Sequence, residues 1–548
     1  MRSDRNDRRV PATALLLAPV LLLASAQAAL AASARPGAGS GKIEVVDYTV
    51  VEGDFCKLIV RRVWPSSSER EGLDRLHALN PQLGREPHHL EPGTVIKLPE
   101  PEPDAHVTFL KPAVNKRVLR EPEWVSATRG DGLFRLDEVN TLKGAGAEIT
   151  FKDLSNVALD ESALIVIYGD APVQKKEQKS GALELVKGDA TVRLSDLRGE
   201  KPLEIATPAA QVSLRSRGNA GIGVDETKAS RVMVYAGAAE VAAQGKKVAV
   251  AAGQGTRVEN GKSPEPPSAL PAAPEWDDGV FSAAFALPPR PATAQLAWKP
   301  VAGAARYRAQ VARDAGFIDR VADRWQAGGA EAKATVQVEL VPGLYYARVQ
   351  ATDARGLTGP ASVALKLLVL SVRAASGREV PGGAAFAATG ELRVVIDGAP
   401  SARIVVDGQQ PAEVRLPALI GLLQPGKHEI LVGAGAPGQP QGLPCTVDAP
   451  VAKVAFGPPG ADGALPVTVR LEDAAGMPLA LPRDDGGAPA LERLLKIGVL
   501  QLRDRASGVI AATPDGDTVR ATLPASAGKS VRVVWSGVQI GEGRAPAK

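Results

Sequence analysis

At 548 residues the chain exceeds what one hydrophobic core organises, so several domains of roughly 100–150 residues each are expected. Its 56 Gly, 44 Pro and 23% charged residues make the composition of short strands joined by many turns. The formal net charge is +4, half of it from four Arg and two Asp in the first nine residues, which leaves no electrostatic case for nucleic acid or a charged membrane surface as partner.

The first element is a leader. "MRSDRNDRR" is basic, "ATALLLAPVLLLASAQAALA" is apolar, and "AQA" and "ALA" offer small-residue cleavage sites near Ala28 and Ala31. This order predicts a signal peptide over residues 1–31, and with it export to the periplasm or cell envelope and no stable membrane span after cleavage. An uncleaved anchor is the alternative, because the apolar run approaches the ~18–20 residues that cross a bilayer. Residues 32–43 form a flexible linker. "PGAGSGKI" within it imitates a phosphate loop, but Pro36 stands where the first Gly belongs and Ile43 where Ser or Thr would hold magnesium.

Residues 44–99 carry the order strand, helix, helix, strand. "VVDYTV" has strand composition, Gly53 supplies a turn, and Asp54 is placed to cap a helix. Cys56, Ile59, Val60 and Val63 recur at i, i+3, i+4 and i+7. Ser68 and Glu71 predict a capping box. Leu73, Leu76 and Leu79 give a second helix its apolar side, and Asn80-Pro81 stops it. "EPGTVIKLP" is a turn and a second strand. With "YTVVEGD", "LNP" and "PGTVIKLP" in this spacing, the unit resembles a LysM domain. The resemblance implies binding of peptidoglycan or another N-acetylglucosamine glycan in a shallow groove. Gly53, Asp54 and Phe55 would form one wall and Asn80, Pro81, Gln82 and Leu83 the other. Phe55 stands where the family usually has Thr, and the loop "QLGREPHHLEPG" is long.

"PEPEP" (99–103) is a stiff linker. Residues 104–262 are β-patterned, through "AEITFKD", "ALIVIYG", "ALELVKGDATVRL", "AQVSLRS", "RVMVYAG" and "KKVAVAAGQGTRV", with no convincing helix. The stretches "LDEVNTLKGAGAEITFKDLSNVALDESA", "EIATPAAQVSLRSRGNAGIGV" and "VYAGAAEVAAQGKKVAVAAGQGTRV" resemble the FecR domain, a periplasmic all-β module. Asn219 departs from that pattern, where Thr is usual. Iron-uptake proteins of this type carry a cytoplasmic anti-sigma segment and a membrane helix. A leader and the LysM-like unit occupy that place here, so only the domain carries over.

A Pro-rich linker (263–276) leads to residues 277–371. There "AQLAWKPVAGAARYRAQVARDAGF" and "VELVPGLYYARVQATDARGLTGPAS" resemble a fibronectin type III or immunoglobulin-like sandwich, with Trp298, Tyr307, Tyr346 and Val349 in or near its core. Two more β domains, 372–450 and 451–548, follow, with "ALERLLKIG" the one helical piece. The fold class is therefore mainly β and multidomain: a small βααβ LysM-like domain, an all-β FecR-like domain, then β-sandwich domains.

Catalytic constellations are missing. The five His (His77, His88, His89, His106, His428) lack metal-ligand spacing, and no G-x-S-x-G elbow occurs. "RDDGG" and "PDGDT" are turn chemistry. No catalytic residue, metal or cofactor is expected. The two cysteines, Cys56 and Cys445, are either buried free thiols or a pair. The expected function is a non-catalytic envelope protein that holds peptidoglycan through its LysM-like unit and presents FecR-like and Ig-like domains to unidentified envelope proteins. A FecR-like periplasmic sensor or regulator is the alternative, and a cell-wall hydrolase with an anchoring domain is a second.

Overall fold

The computed structural model describes residues 45–50, 54–63, 68–84, 89–99, 103–118, 122–168, 182–196, 201–328, 334–482 and 490–546. The expected leader (1–31) and first linker (32–43) lie outside them. Among the described residues no helix is long and apolar enough to cross a membrane. The chain divides into two units, residues 1–101 and 102–548.

In the first unit, β1 (Val45–Thr49), α1 (Cys56–Val63), α2 (Glu69–Leu79) and β2 (Val95–Pro99) appear in the expected order. The strands pair antiparallel with Tyr48 opposite Ile96. Alternation puts Ile96 and Leu98 inward, where they meet Cys56, Ile59 and Val60 of α1 and Leu76 of α2. The helices touch at Gly72, where an added Cβ would lie 2.1 Å from Val60 Cγ1. The sequence pattern sets these faces, but two details differ from expectation. The Phe55 carbonyl accepts the first α1 bonds, from Leu58 and Ile59, so the helix starts one residue beyond a cap at Asp54. Only half of the capping box forms: Ser68 Oγ accepts from the Glu71 amide at 3.2 Å, while Glu71 is held by Arg75.

The second unit contains four successive hydrophobic cores. Residues 105–258 build the first around a sheet system whose spine is the hairpin Gln211–Val224 and Ser230–Ala243. Leu183–Arg193 pairs with that hairpin on one side and with Asn156–Leu159 on the other. Ala147, Ile149 and Phe151 alternate inward as "AEITF" requires. The second core lies between the sheet of Arg306–Ala312, Arg320–Ala327 and Gly343–Thr352 and the pair Ala292–Trp298 and Ala334–Leu340. Trp298 and Tyr307 meet edge-on there, 5.5 Å between centroids.

Tyr345, not Tyr346, is the core residue of the late strand. Successive strand residues face opposite ways, so a strand that buries Val349 must also bury 347 and 345 and turn 346 outward.

Leu365–Ser376 crosses the expected boundary at 371/372. Its first half pairs with Gly343–Ala347 and its second with Leu392–Asp397, so two domains share one strand. The last domain packs two four-stranded sheets and the helix Ala490–Lys496 around Trp535. The Trp535 indole donates to the Leu423 carbonyl at 2.9 Å, tying this domain to its predecessor. Cys56 and Cys445 are both buried, and neither is in a disulfide.

Candidate functional site

The residues expected to line a glycan groove separate into two groups. Asn80 is fully buried and spends its amide within the fold. Its Nδ2 donates to the Leu76 and Lys97 carbonyls, and its Oδ1 accepts from the Lys97 amide and from Gln82. It thus pins the end of α2 to β2. Asp54 is also buried and accepts from the Tyr48 hydroxyl at 2.6 Å. Leu83 packs against the small core. Phe55, Pro81 and Gln82 remain exposed. Gly53 lies outside the described residues.

A different constellation forms in the second unit, between the first β domain and the sandwich that follows. The strand "RYRAQVA" alternates: Tyr307, Ala309 and Val311 enter the sandwich core, while Arg306, Arg308 and Gln310 project from the other face. Asp323 and Trp325 flank them on one neighbouring strand, and Arg348 and Gln350 on the other. Around Arg308 and Gln310 this polar face is turned away from solvent, while Arg306 and Trp325 stay exposed at its edge. It meets the outer face of the preceding domain, which presents Asp160, Asp189, Thr191, Arg231 and Tyr235.

The seam is ionic. Arg308 grips Asp323 in a two-pronged pair, Nε to Oδ1 at 2.9 Å and Nη2 to Oδ2 at 2.6 Å. Its Nη1 crosses the seam to one oxygen of Asp160, and Arg320 Nη1 pairs with the other. Arg320 also donates to the Ala145 carbonyl at 3.0 Å, and Lys111 donates to the Arg320 carbonyl. Arg231 reaches Asp189 and the Gly356 carbonyl, and the Tyr235 hydroxyl donates to the Thr358 carbonyl. Gly221 and Gly223 keep this wall low. A Cβ on Gly223 would lie 2.2 Å from Asp189 Oδ1, and one on Gly221 2.7 Å from the Tyr235 hydroxyl.

The seam holds a partly open cavity of about 270 Å³. Burial pushes the Asp160 carboxyl up, but the Arg308 and Arg320 guanidiniums outweigh it and hold the group below its ordinary range. Asp189 behaves oppositely. Its side chain is reachable from the cavity yet surrounded by protein, and that burial, together with the nearby Asp160 charge, raises its carboxyl despite Arg231. Arg348 is pushed down to about 10 by burial and by the guanidiniums of Arg308 and Arg320, although Asp160 opposes them. Its Nε donates to Gln310 and its guanidinium lies 4.2 Å from the Phe317 ring centroid. Among the described residues no His, Cys, Asp and Glu side chains group to hold a metal ion.

Sequence reading gave the alternation of "RYRAQVA" but assigned its polar face no role. The opposing carboxylate, Asp160, is 148 positions away in another domain. The available signal was the density of Arg at outward positions of one sheet, 306, 308 and 348, together with the alternate glycines of "GIGV".

The family model described as FecR protein matches residues 137–240. Comparison with curated proteins gave no match. Among solved structures, a chain from Parabacteroides distasonis described as a candidate anti-sigma factor is similar at 18% identity, over 24% of this chain and 59% of its own, with a TM-score of 0.20. This chain thus spans about three fifths of that one's length. Fibronectin(III)-like modules of Clostridium thermocellum CbhA are similar at 14% identity over 32% of this chain and 93% of theirs, TM-score 0.13. The Escherichia coli adhesin FdeC is similar at 13% identity over 49% and 93%, TM-score 0.14. The chain contains a FecR domain at 137–240, and Asp160, Asp189, Arg231 and Tyr235 all fall inside it.

Proposed function

We propose that this protein is an exported, non-catalytic envelope regulator whose working part is the FecR domain joined to the sandwich behind it. One observation carries the reading: the matched FecR span supplies the bridging carboxylate Asp160 and most of one wall of the ionic seam, so any protein contact or signal received by one domain bears on the packing of the other. A buried charge that bridges two domains suits that role, because its partners are strongly coupled and a small displacement breaks the pair. The test is a transcript profile of the producing organism with the gene deleted, restored, and restored as Asp160→Asn. A bounded set of transcripts should shift on deletion and return with the wild-type chain only. Identical profiles in all three strains would overturn the reading.

A second reading concerns the first unit. The exposed Phe55 ring beside the start of α1, and the exposed Pro81-Gln82 turn, support glycan contact by apolar stacking rather than through Asn80. The full chain would then co-sediment with insoluble peptidoglycan, Phe55→Ala would release it, and no reducing sugar would appear. A chain that stays in the supernatant at low and high salt alike removes this reading and leaves the regulator intact.

A further inference from the structure

We infer that the seam cavity is a binding site for a small organic oxyanion, a carboxylate or a phosphate ester. Six arginines line it: Arg193, Arg231, Arg306, Arg308, Arg320 and Arg348. The lining carboxylates are three, Glu148, Asp160 and Asp189. Asp160 is consumed by Arg308 and Arg320, and Asp189 by Arg231. Among the described residues Arg193, Arg306 and Arg348 have no carboxylate within salt-bridge reach, so the wall carries a surplus of positive charge.

That surplus is held in place. Arg306 lies 4.3 Å from the Trp325 ring centroid and Arg348 4.2 Å from that of Phe317, so both guanidiniums sit over aromatic rings. Arg348 uses Nε on Gln310, and among the described residues no acceptor takes its Nη groups. Burial depresses both groups and the guanidiniums around them add to it, Arg231 and Arg308 for Arg306, and Arg308 and Arg320 for Arg348. Crowded, partly desolvated guanidiniums presenting free N–H donors are the chemistry that recognises an oxyanion in a planar, two-pronged manner.

The size selects further. About 270 Å³ is just under the ~300–1,000 Å³ of ordinary small-molecule sites, which excludes a peptide or polysaccharide chain and admits a compact anion. Met233 and Ile318 line the same space, so the ligand has an apolar part as well as a charged end. Binding here does not depend on the regulatory role above. Because the lining comes from both domains, a ligand that occupies the cavity neutralises repulsion on both sides of the seam and holds it shut.

The experiment is calorimetric titration of the full chain, at low ionic strength, with two probes: glycerol phosphate and glutarate. One saturable site per chain is expected for at least one of them. Heat from the phosphate alone assigns a phosphate ester, heat from glutarate alone a carboxylate, and heat from both an oxyanion seat that accepts either. Arg348→Met should weaken binding at least tenfold, and Arg348→Lys should restore part of it. Arg306→Met, a more exposed position, should weaken it similarly and keeps the test decisive if the Arg348 variant folds poorly. Arg403→Met, on a different sheet, should change nothing. No saturable heat with either probe, or affinity unchanged in both Arg306→Met and Arg348→Met, would overturn the inference.

Discussion

Replacing Asp160 by Asn changes one oxygen to an amide, keeps the shape, and removes the charge that joins the FecR domain to the sandwich. Its side chain is 17% exposed, and those of Arg308 and Arg320 are 14% and 9% exposed, so solvent screens the pairs weakly. Deleting one partner of such a pair costs about 3–5 kcal/mol, most of it from the charge left behind. Arg308 keeps its two-pronged grip on Asp323, whereas Arg320 is left with Asp323 only at 3.9 Å. One stranded guanidinium rather than two places the loss at the low end. Removing the Asp160 charge also relieves Asp189, which lowers the net to roughly 2–3 kcal/mol. At about 2–4 °C per kcal/mol for the pair of domains that share the seam, the transition that includes it should fall by about 4–12 °C.

Scanning calorimetry of the full chain reads this directly. A cycle with Arg320→Met should show coupling above about 1 kcal/mol. The pH dependence has a fixed sign. The Asp160 carboxyl is depressed below 3.8 in the folded protein, so its contribution is full above that pH and disappears as pH falls through the lower folded value. The gap between wild type and variant should hold from neutral pH to about pH 4 and close below it. A variant within about 0.5 kcal/mol of wild type at pH 7, or strict additivity with Arg320→Met, would refute the seam.

His428 is held by Asp407 at Nδ1 and by the Gln424 carbonyl at Nε2, each at 2.7 Å. Burial lowers its affinity for a proton, but these partners raise it above 6.5 overall. Its contribution is present below pH 6.5 and lost as pH rises through the higher folded value, so His428→Gln should cost stability at pH 6 and little at pH 9, read from thermal midpoints. Burial pushes the Cys445 thiol up to about 11, with Asp407 adding to it. Both cysteines are buried, so both should resist iodoacetamide at pH 8 until denaturant is added, as followed by mass spectrometry. Gly72→Val would drive a side chain into Val60 and should destabilise the first unit by about 1–3 kcal/mol, seen as an earlier denaturant transition of that unit alone.

The elements that were legible in the sequence are those whose signal is local. Cys56, Ile59, Val60 and Leu76 gave both small helices because helical spacing is written in the residues themselves. Alternation gave most strands for the same reason, and the Tyr345/Tyr346 exchange could have been settled by counting parity from Val349. Asn80 illustrates the limit. The Asn-Pro stop was visible, but not that the Lys97 backbone of β2 would lie within reach of its amide, which turns an expected groove wall into an internal tie. The seam lies further beyond local signal. Arg306 and Arg308 sit at positions that alternation assigns to the outside of a sandwich, and nothing near them in sequence announces a second sheet carrying Asp160.

If the FecR domain and the sandwich act as one body through this seam, they must also open as one body. Native-state hydrogen exchange on the full chain, wild type against Asp160→Asn, measures that. Leu183–Arg193 of the FecR domain and Arg306–Ala312 of the sandwich should share one opening free energy. In the variant both should lose protection by the same factor, roughly 30- to 150-fold for 2–3 kcal/mol. Protection that falls in one strand and not the other, or in neither, would contradict the account.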